Sequence, residues 1–201
     1  LDVRTAATVL ELMKDGHLRT QTPAGLAEMK ARHILIATGT RETPRSARLV
    51  GGSRPQGVMN TGALQQHVYL HHNKPFERPV IIGSELVSFS ALLTCRHLGI
   101  RPVAMLENPR ISAQRPGDLI ARFVLGVPVR TSTKLVAIEG RKNVEAVEVE
   151  HRGKRERIAC DGVIFTGLFR PETALFPAGL PSEKFSISGN AVGPLKTSGE
   201  C

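Results

Sequence analysis

The chain has 201 residues, of which 41% are hydrophobic and 22% charged, a balance that excludes disordered and fibrous classes. Folding at this length buries roughly 70% of the surface of the unfolded chain, so a core forms without disulfide or metal staples. Lysine and arginine number 27 against 18 acids, a net charge of +9 that favours anionic partners.

The first forty residues read as β structure. Thr5–Leu12 and His17–Gln21 are strand-like, with Lys14-Asp15-Gly16 as the hairpin turn between them and Pro23-Ala24-Gly25 as a second turn. Arg32–Gly39 is an apolar run that ends in small residues, the pattern of a strand buried on both faces. Residues 40–79 are punctuated by proline and glycine, with helical character only at Thr61–His71, and read as a crossover between structural units.

Residues 80–107 form a βαβ unit. Val80-Ile81-Ile82-Gly83 is a short buried strand, Leu86–Leu98 has helical spacing stopped by Gly99, and Arg101–Glu107 is a second strand. Such a unit implies a parallel sheet. Gly117–Leu125 is expected as a further helix. Thr133–Ile138, Asn143–Glu150 and Arg155–Cys160 are expected as an antiparallel meander, and Asp161–Gly167 as a return to buried strand. Phe185–Asn190 ends the ordered pattern.

The strongest chemical signal is strand–Gly83–helix–strand–Glu107. Gly83 permits a tight turn, and the helix that follows presents its amides and positive dipole end to a pyrophosphate. Glu107, twenty-four residues on, ends the second strand where an acid accepts hydrogen bonds from an adenosine ribose. The Gly-x-Gly-x-x-Gly pattern is broken, because Glu85 and Ser88 stand at the second and third positions. Glu85 sets a carboxylate where phosphate approaches the backbone, or caps the helix amides itself. Ser88 thickens the helix–strand contact. A structural βαβ unit without a ligand is the competing reading of these residues.

Other chemistries find no pattern. His67 and His71 share a helix face, but no carboxylate or cysteine completes a metal site. No hydrolase elbow, phosphate loop or zinc-protease motif is present. Nucleic acid is not an expected partner, since the densest basic group, Arg152, Lys154, Arg155 and Arg157, lacks interleaved aromatics. No apolar run reaches the roughly 18 residues of a membrane span. Three well-separated cysteines without a Cys-x-x-Cys give no disulfide framework, and the cytoplasm is the default compartment.

Taken together, Ile36–Glu42 (IATGTRE), Gly57–Gln66 (GVMNTGALQQ), the βαβ insert, the second Thr-Gly strand end at Thr166-Gly167 and Gly189–Cys201 (GNAVGPLKTSGEC) resemble the FAD/NAD(P)-dependent pyridine nucleotide-disulfide oxidoreductase superfamily. Within it they resemble the branch of the hydrogen cyanide synthase, opine oxidase and sarcosine oxidase flavin subunits. The resemblance implies that Ala37, Thr38 and Gly39 match an FAD-proximal motif where the chain leaves the FAD domain. It implies that Gly83, Ser84 and Glu85 match the NAD(P) pyrophosphate turn and that Glu107 matches the ribose acid. Gly167 with Pro171 matches the return beside the nicotinamide, and Gly189-Asn190 matches the final Gly-Asp of the flavin ribityl site, with a neutral amide in place of the acid.

The domain organisation so implied is a partial FAD-domain segment and crossover at residues 1–76, a three-layer, Rossmann-like α/β NAD(P)-binding domain at 77–160, and a return to the FAD-domain segment at 161–201. The chain opens at Leu1 without the N-terminal FAD phosphate turn of the family, so it is expected to be a fragment that by itself holds FAD weakly. The path from Leu180 to Phe185 is shorter than in the family. The expected activity is hydride transfer between a pyridine nucleotide or amine-type substrate and flavin, with another oxidoreductase subunit or a second copy as partner. The alternative is a non-catalytic, degenerate Rossmann module that serves as a scaffold.

Overall fold

The computed structural model describes residues 2–108, 120–176 and 183–193. The chain divides into two compact units, residues 1–41 with 169–201, and residues 42–168.

The first unit opens with β1 (Thr8–Leu12), β2 (His17–Thr22) and β3 (Gly25–Lys30), an antiparallel meander with β2 at its centre. Its first turn requires Gly16, which has φ +90° and whose missing Cβ would lie 2.7 Å from the Ala31 carbonyl. The Pro23-Ala24 turn leads straight into β3, a strand that no periodicity announces because all six of its residues are exposed. β4 (Ile34–Ile36) and β5 (Thr40–Glu42) follow.

The second unit contains β6 (Gly51–Gly52), β7 (Val58–Asn60) and α1 (Thr61–Gln65), which continues as a π-helical turn over Gln66–Leu70. The Asn60 side chain accepts a hydrogen bond from the Ala63 amide at 2.8 Å and so starts α1. Then come β8 (Pro79–Ile82), α2 (Leu86–His97) and β9 (Ala104–Leu106). Gly99, at φ +66°, ends α2, with the Ile100 amide bonded back to the Cys95 carbonyl at 2.9 Å. A π-helical turn spans Ile120–Val124, within the expected Gly117–Leu125 helix, whose first three residues lie outside the described set. β10 (Val129–Arg130), β11 (Thr133–Glu139), β12 (Ala146–His151), β13 (Lys154–Ala159) and β14 (Gly162–Phe165) complete the unit.

Five strands form one wholly parallel sheet in the order β10-β9-β8-β14-β7. The meander β11-β12-β13, extended by β6, forms a four-stranded sheet. Because successive strand side chains point to opposite faces, the parallel strands feed two cores. Ile81, Met105 and Ile164 pack with Leu64 and Val68 of the α1 segment and with Ala91, Leu92 and Cys95 of α2. Val80, Ala104, Leu106, Val163 and Phe165 pack with Leu135, Ile138, Val147 and Val149 of the meander. The three layers are therefore helices, parallel sheet and meander. Each fully buried aliphatic side chain in them contributes about 1.5–3 kcal/mol.

The chain returns to the first unit through β15 (Phe169–Pro171), which pairs with β5, and β16 (Phe185–Ile187), which pairs in parallel with β4. This pairing corrects the reading of Arg32–Gly39 as a strand buried on both faces. Only Ile34–Ile36 is extended, and Leu35 is 63% exposed while Ile36 is 4% exposed. In a two-stranded sheet only one face of β4 is covered, by Leu12 and Phe185. Among the described residues no helix is long and apolar enough to cross a membrane.

Candidate functional site

The carboxyl ends of parallel strands are where α/β sheets gather ligands, and all ten residues singled out in the sequence fall beside such ends, five in each unit. In the larger unit β8 runs into Gly83, β9 into Glu107 and β14 into Thr166-Gly167. In the smaller unit β4 runs into Ala37-Thr38-Gly39 and β16 into Ser188-Gly189-Asn190.

In the larger unit the turn after β8 is held by the Gly83 amide bonding the Leu106 carbonyl at 2.9 Å. Gly83 has φ +125°, and a Cβ there would collide with the Thr166 hydroxyl. Its bareness is thus needed for packing against β14 as well as for the turn. Ser88, at the third position of the broken glycine motif, is fully buried and shares a 2.6 Å hydrogen bond with the Thr166 hydroxyl, which in turn donates to the Ile82 carbonyl at 2.8 Å. A serine is accommodated because it ties α2 to β14.

Glu85 starts α2 with an extended backbone, φ −75° and ψ 170°, and its side chain makes no capping bond to the helix amides. Of the two geometries open to Glu85, capping of the helix amides is therefore not adopted. Its carboxylate instead lies against Gly167, where any Cβ would clash with it. Buried Ser84 donates to Glu107 Oε2 at 2.7 Å, orienting the acid that ends β9.

Arg48 was not legible as part of this edge. Its Nη2 donates to the Thr166 and Gly167 carbonyls at 2.9 and 2.8 Å, and its Nε donates to the Thr43 carbonyl at 2.8 Å. The guanidinium lies 5.1 Å from the centre of the Phe165 ring. Burial lowers the Arg48 pKa, opposed by the negative charges of Glu42 and Glu85. Glu42 itself is 8% exposed; its Oε2 accepts from the Gly62 amide at 3.0 Å, and its Oε1 has no hydrogen-bond partner among the described residues. No sequence pattern marks Arg48, which stands with Arg41 and Arg45 in a segment punctuated by proline and glycine.

The smaller unit keeps a different edge. The Ser188 amide bonds the Ile36 carbonyl at 3.0 Å, bringing residues 37–39 and 188–190 side by side although about 150 positions separate them. The Thr38 hydroxyl donates to the Glu172 carbonyl at 2.8 Å, and the Glu172 amide returns to the Gly39 carbonyl at 3.0 Å. Among the described residues, a Cβ on Gly39 or Gly189 would meet nothing within 4 Å, so both glycines border open space there. Asn190 lies in a short 3-10 turn, Gly189–Ala191.

The Leu180–Ser182 part of the shortened path and residues 194–201 of the terminal motif lie outside the described residues. The rings of His67 and His71 are 6.1 Å apart, and among the described residues no three His, Cys, Asp or Glu side chains converge.

This architecture, a parallel βαβ sheet with an appended meander between two stretches of a second unit, is similar in fold to several solved structures. An FAD-dependent pyridine nucleotide-disulphide oxidoreductase from Desulfovibrio vulgaris superposes with TM-score 0.69 at 18% identity, over 92% of this chain and 53% of its own. An NAD-dependent persulfide reductase from A. fulgidus gives 0.65 at 18% identity over 84% and 32%, and T. acidophilum thioredoxin reductase gives 0.63 at 19% identity over 84% and 54%. Among curated proteins the chain is similar to sarcosine oxidase subunit alpha of Rhizobium meliloti, 28% identical over 147 residues, which is 70% of this chain and 13% of that subunit. That relative falls in the branch to which IATGTRE and GVMNTGALQQ point. No family model matches the chain.

Proposed function

We propose that the chain is the dinucleotide-binding part of an FAD- and NAD(P)-linked oxidoreductase, with one cofactor edge in each unit. The observation that supports this most is the convergence of Gly83, Ser84, Glu85, Glu107 and Gly167 at the carboxyl ends of three adjacent parallel strands. A bare turn, the start of a twelve-residue helix and an oriented acid are the elements a dinucleotide requires. Glu107, positioned by Ser84, accepts from ribose hydroxyls and repels a 2′-phosphate. The α2 amides face the pyrophosphate, against the opposing charge of Glu85.

In the smaller unit the open ground beside Gly39 and Gly189 fits a flavin, with the Asn190 amide toward its ribityl chain. Pyridine nucleotide and flavin supply hydride chemistry when bound; the chain supplies position and charge. An amine-type substrate, a cytoplasmic location and a further oxidoreductase subunit as partner belong to the same reading; the sarcosine oxidase relative, itself named as a subunit, supports the substrate class and the partner. The scaffold alternative draws no support from these likenesses.

Calorimetric titration of NAD and NADP into the full chain and into Glu107→Gln tests the reading. NAD is expected to bind more tightly than NADP, with the preference reduced in the variant. Absence of binding by both nucleotides would overturn it.

A further inference from the structure

We propose that a second cleft in the larger unit, whose walls include none of Gly83, Glu85, Glu107 or Gly167, binds a small organic anion: a carboxylate or phosphate on an apolar body. The cleft has a volume of about 670 Å3 and lies where β7 and β14 end, with Asn60 and Phe165 in its wall. That is within the size range of ligand pockets, and at the sheet edge where such pockets form.

Val58, Met59 and Phe165 give it an apolar side, and Arg45 and Arg54 are its basic wall residues. Arg45 Nη2 donates to the Gly51 carbonyl at 2.8 Å, which fixes that side chain between the 3-10 turn at Arg45–Arg48 and β6. Among the described residues neither arginine lies within ion-pair distance of a carboxylate. Burial, and next the charge of Arg54, lower the Arg45 pKa, so the two cations act on one another.

Two like charges at one half-apolar cleft, with no carboxylate in ion-pair distance among the described residues, raise the energy of the empty protein. An anion between them relieves that repulsion and matches the planar fork of each guanidinium with two oxygens. A purely structural arginine pair carries no such requirement for an apolar wall. The apolar side selects a ligand with a hydrocarbon body over a bare ion. This site stands independently of the dinucleotide reading, because it shares no residue with it.

The test is titration of the full chain with benzoate, phenyl phosphate and the neutral benzyl alcohol, read by calorimetry and by amide chemical shifts. At least one anion is expected to bind, to move the amides of Gly51, Gly52, Met59 and Asn60, and to outcompete benzyl alcohol. The tighter of the two anions identifies carboxylate or phosphate as the natural head group. Arg54→Met, which removes an exposed charge that makes no hydrogen bond among the described residues, is expected to weaken binding about threefold to fivefold. Arg45→Met is expected to do the same, with circular dichroism reporting whether loss of the Gly51 bond disturbs the fold. Unmoved amides, benzyl alcohol binding as well as the anions, or an Arg54→Met chain with unchanged affinity would each overturn the proposal.

Discussion

The two strand-end edges differ in what fills them. In the larger unit the edge is occupied by the protein's own polar groups: Glu85 against Gly167, Ser84 on Glu107, Ser88 on Thr166 and Arg48 on two carbonyls. In the smaller unit Gly39 and Gly189 have nothing within 4 Å of an added Cβ among the described residues. The cores run the other way. The larger unit has two clusters packed on either face of its parallel sheet, whereas the smaller has Leu12, Ile36 and Phe185 and leaves Leu26 and Leu35 largely exposed. The larger edge gathers the ends of three adjacent strands, β9, β8 and β14, and the smaller those of the pair β4 and β16, so more side chains meet at the larger.

The largest expected effect is on local stability. Backbone amides of β8 and β14 are expected to exchange with solvent at least about a hundredfold more slowly than those of β1 to β4, since opening free energy follows buried apolar contact. Equal protection in hydrogen-exchange mass spectrometry would show that the small core suffices. Truncation sharpens the same contrast. Ile81→Ala is expected to cost about 2–5 kcal/mol, as it empties a site with no exposure, and Leu12→Ala in the smaller unit to cost less. Denaturant unfolding of the two variants measures the difference.

A third expectation concerns the filled edge. Glu85→Gly removes a carboxylate about where phosphates arrive and is expected to raise NADH affinity several-fold at matched ionic strength. One like-charge contact at about 5 Å and an effective dielectric near 20 is worth roughly 3 kcal/mol before screening, and a third of that suffices. Equal affinities would place the pocket elsewhere.

The cysteines give a smaller, pH-dependent effect. Burial pushes the Cys95 thiol up to about 12 and the Cys160 thiol, again chiefly by burial, up to about 11, from 9.0. Both are protonated in folded and unfolded chains below pH 9.0, so their contribution to stability is complete there. It is lost as pH rises from 9.0 toward those values, because only the unfolded chain ionises. Thermal unfolding is expected to shift downward above pH 9.0, and Cys→Ser at either site would also introduce a buried hydroxyl. Peptide mapping after alkylation at neutral pH is expected to find both thiols unmodified until the chain unfolds. The smallest effect is expected from Ser88→Ala, about 1 kcal/mol, since the Thr166 hydroxyl keeps its bond to Ile82.

Sequence alone determined the βαβ unit, the meander and the turns, because each is written in local periodicity: Leu86–His97 at helical spacing, Val80–Ile82 as a continuous apolar run, Gly16 and Gly99 where positive φ is required. It also marked the glycines and acids at strand ends. Tertiary structure decided the rest. Val58–Asn60 is a sheet strand only because β14 lies beside it, and β3 exists only as a partner to β2, so neither carries an apolar pattern of its own. The glycine beside the Glu85 carboxylate is 82 positions away and the strand paired with Ile34–Ile36 is 151 positions away. Such contacts arise when a sheet orders strands out of sequence, and local propensity holds no record of that order. Arg48 illustrates the physical limit most directly. An arginine in a proline- and glycine-rich segment has no periodicity to betray it, and only the fold brings the Thr166 and Gly167 carbonyls within reach of its guanidinium.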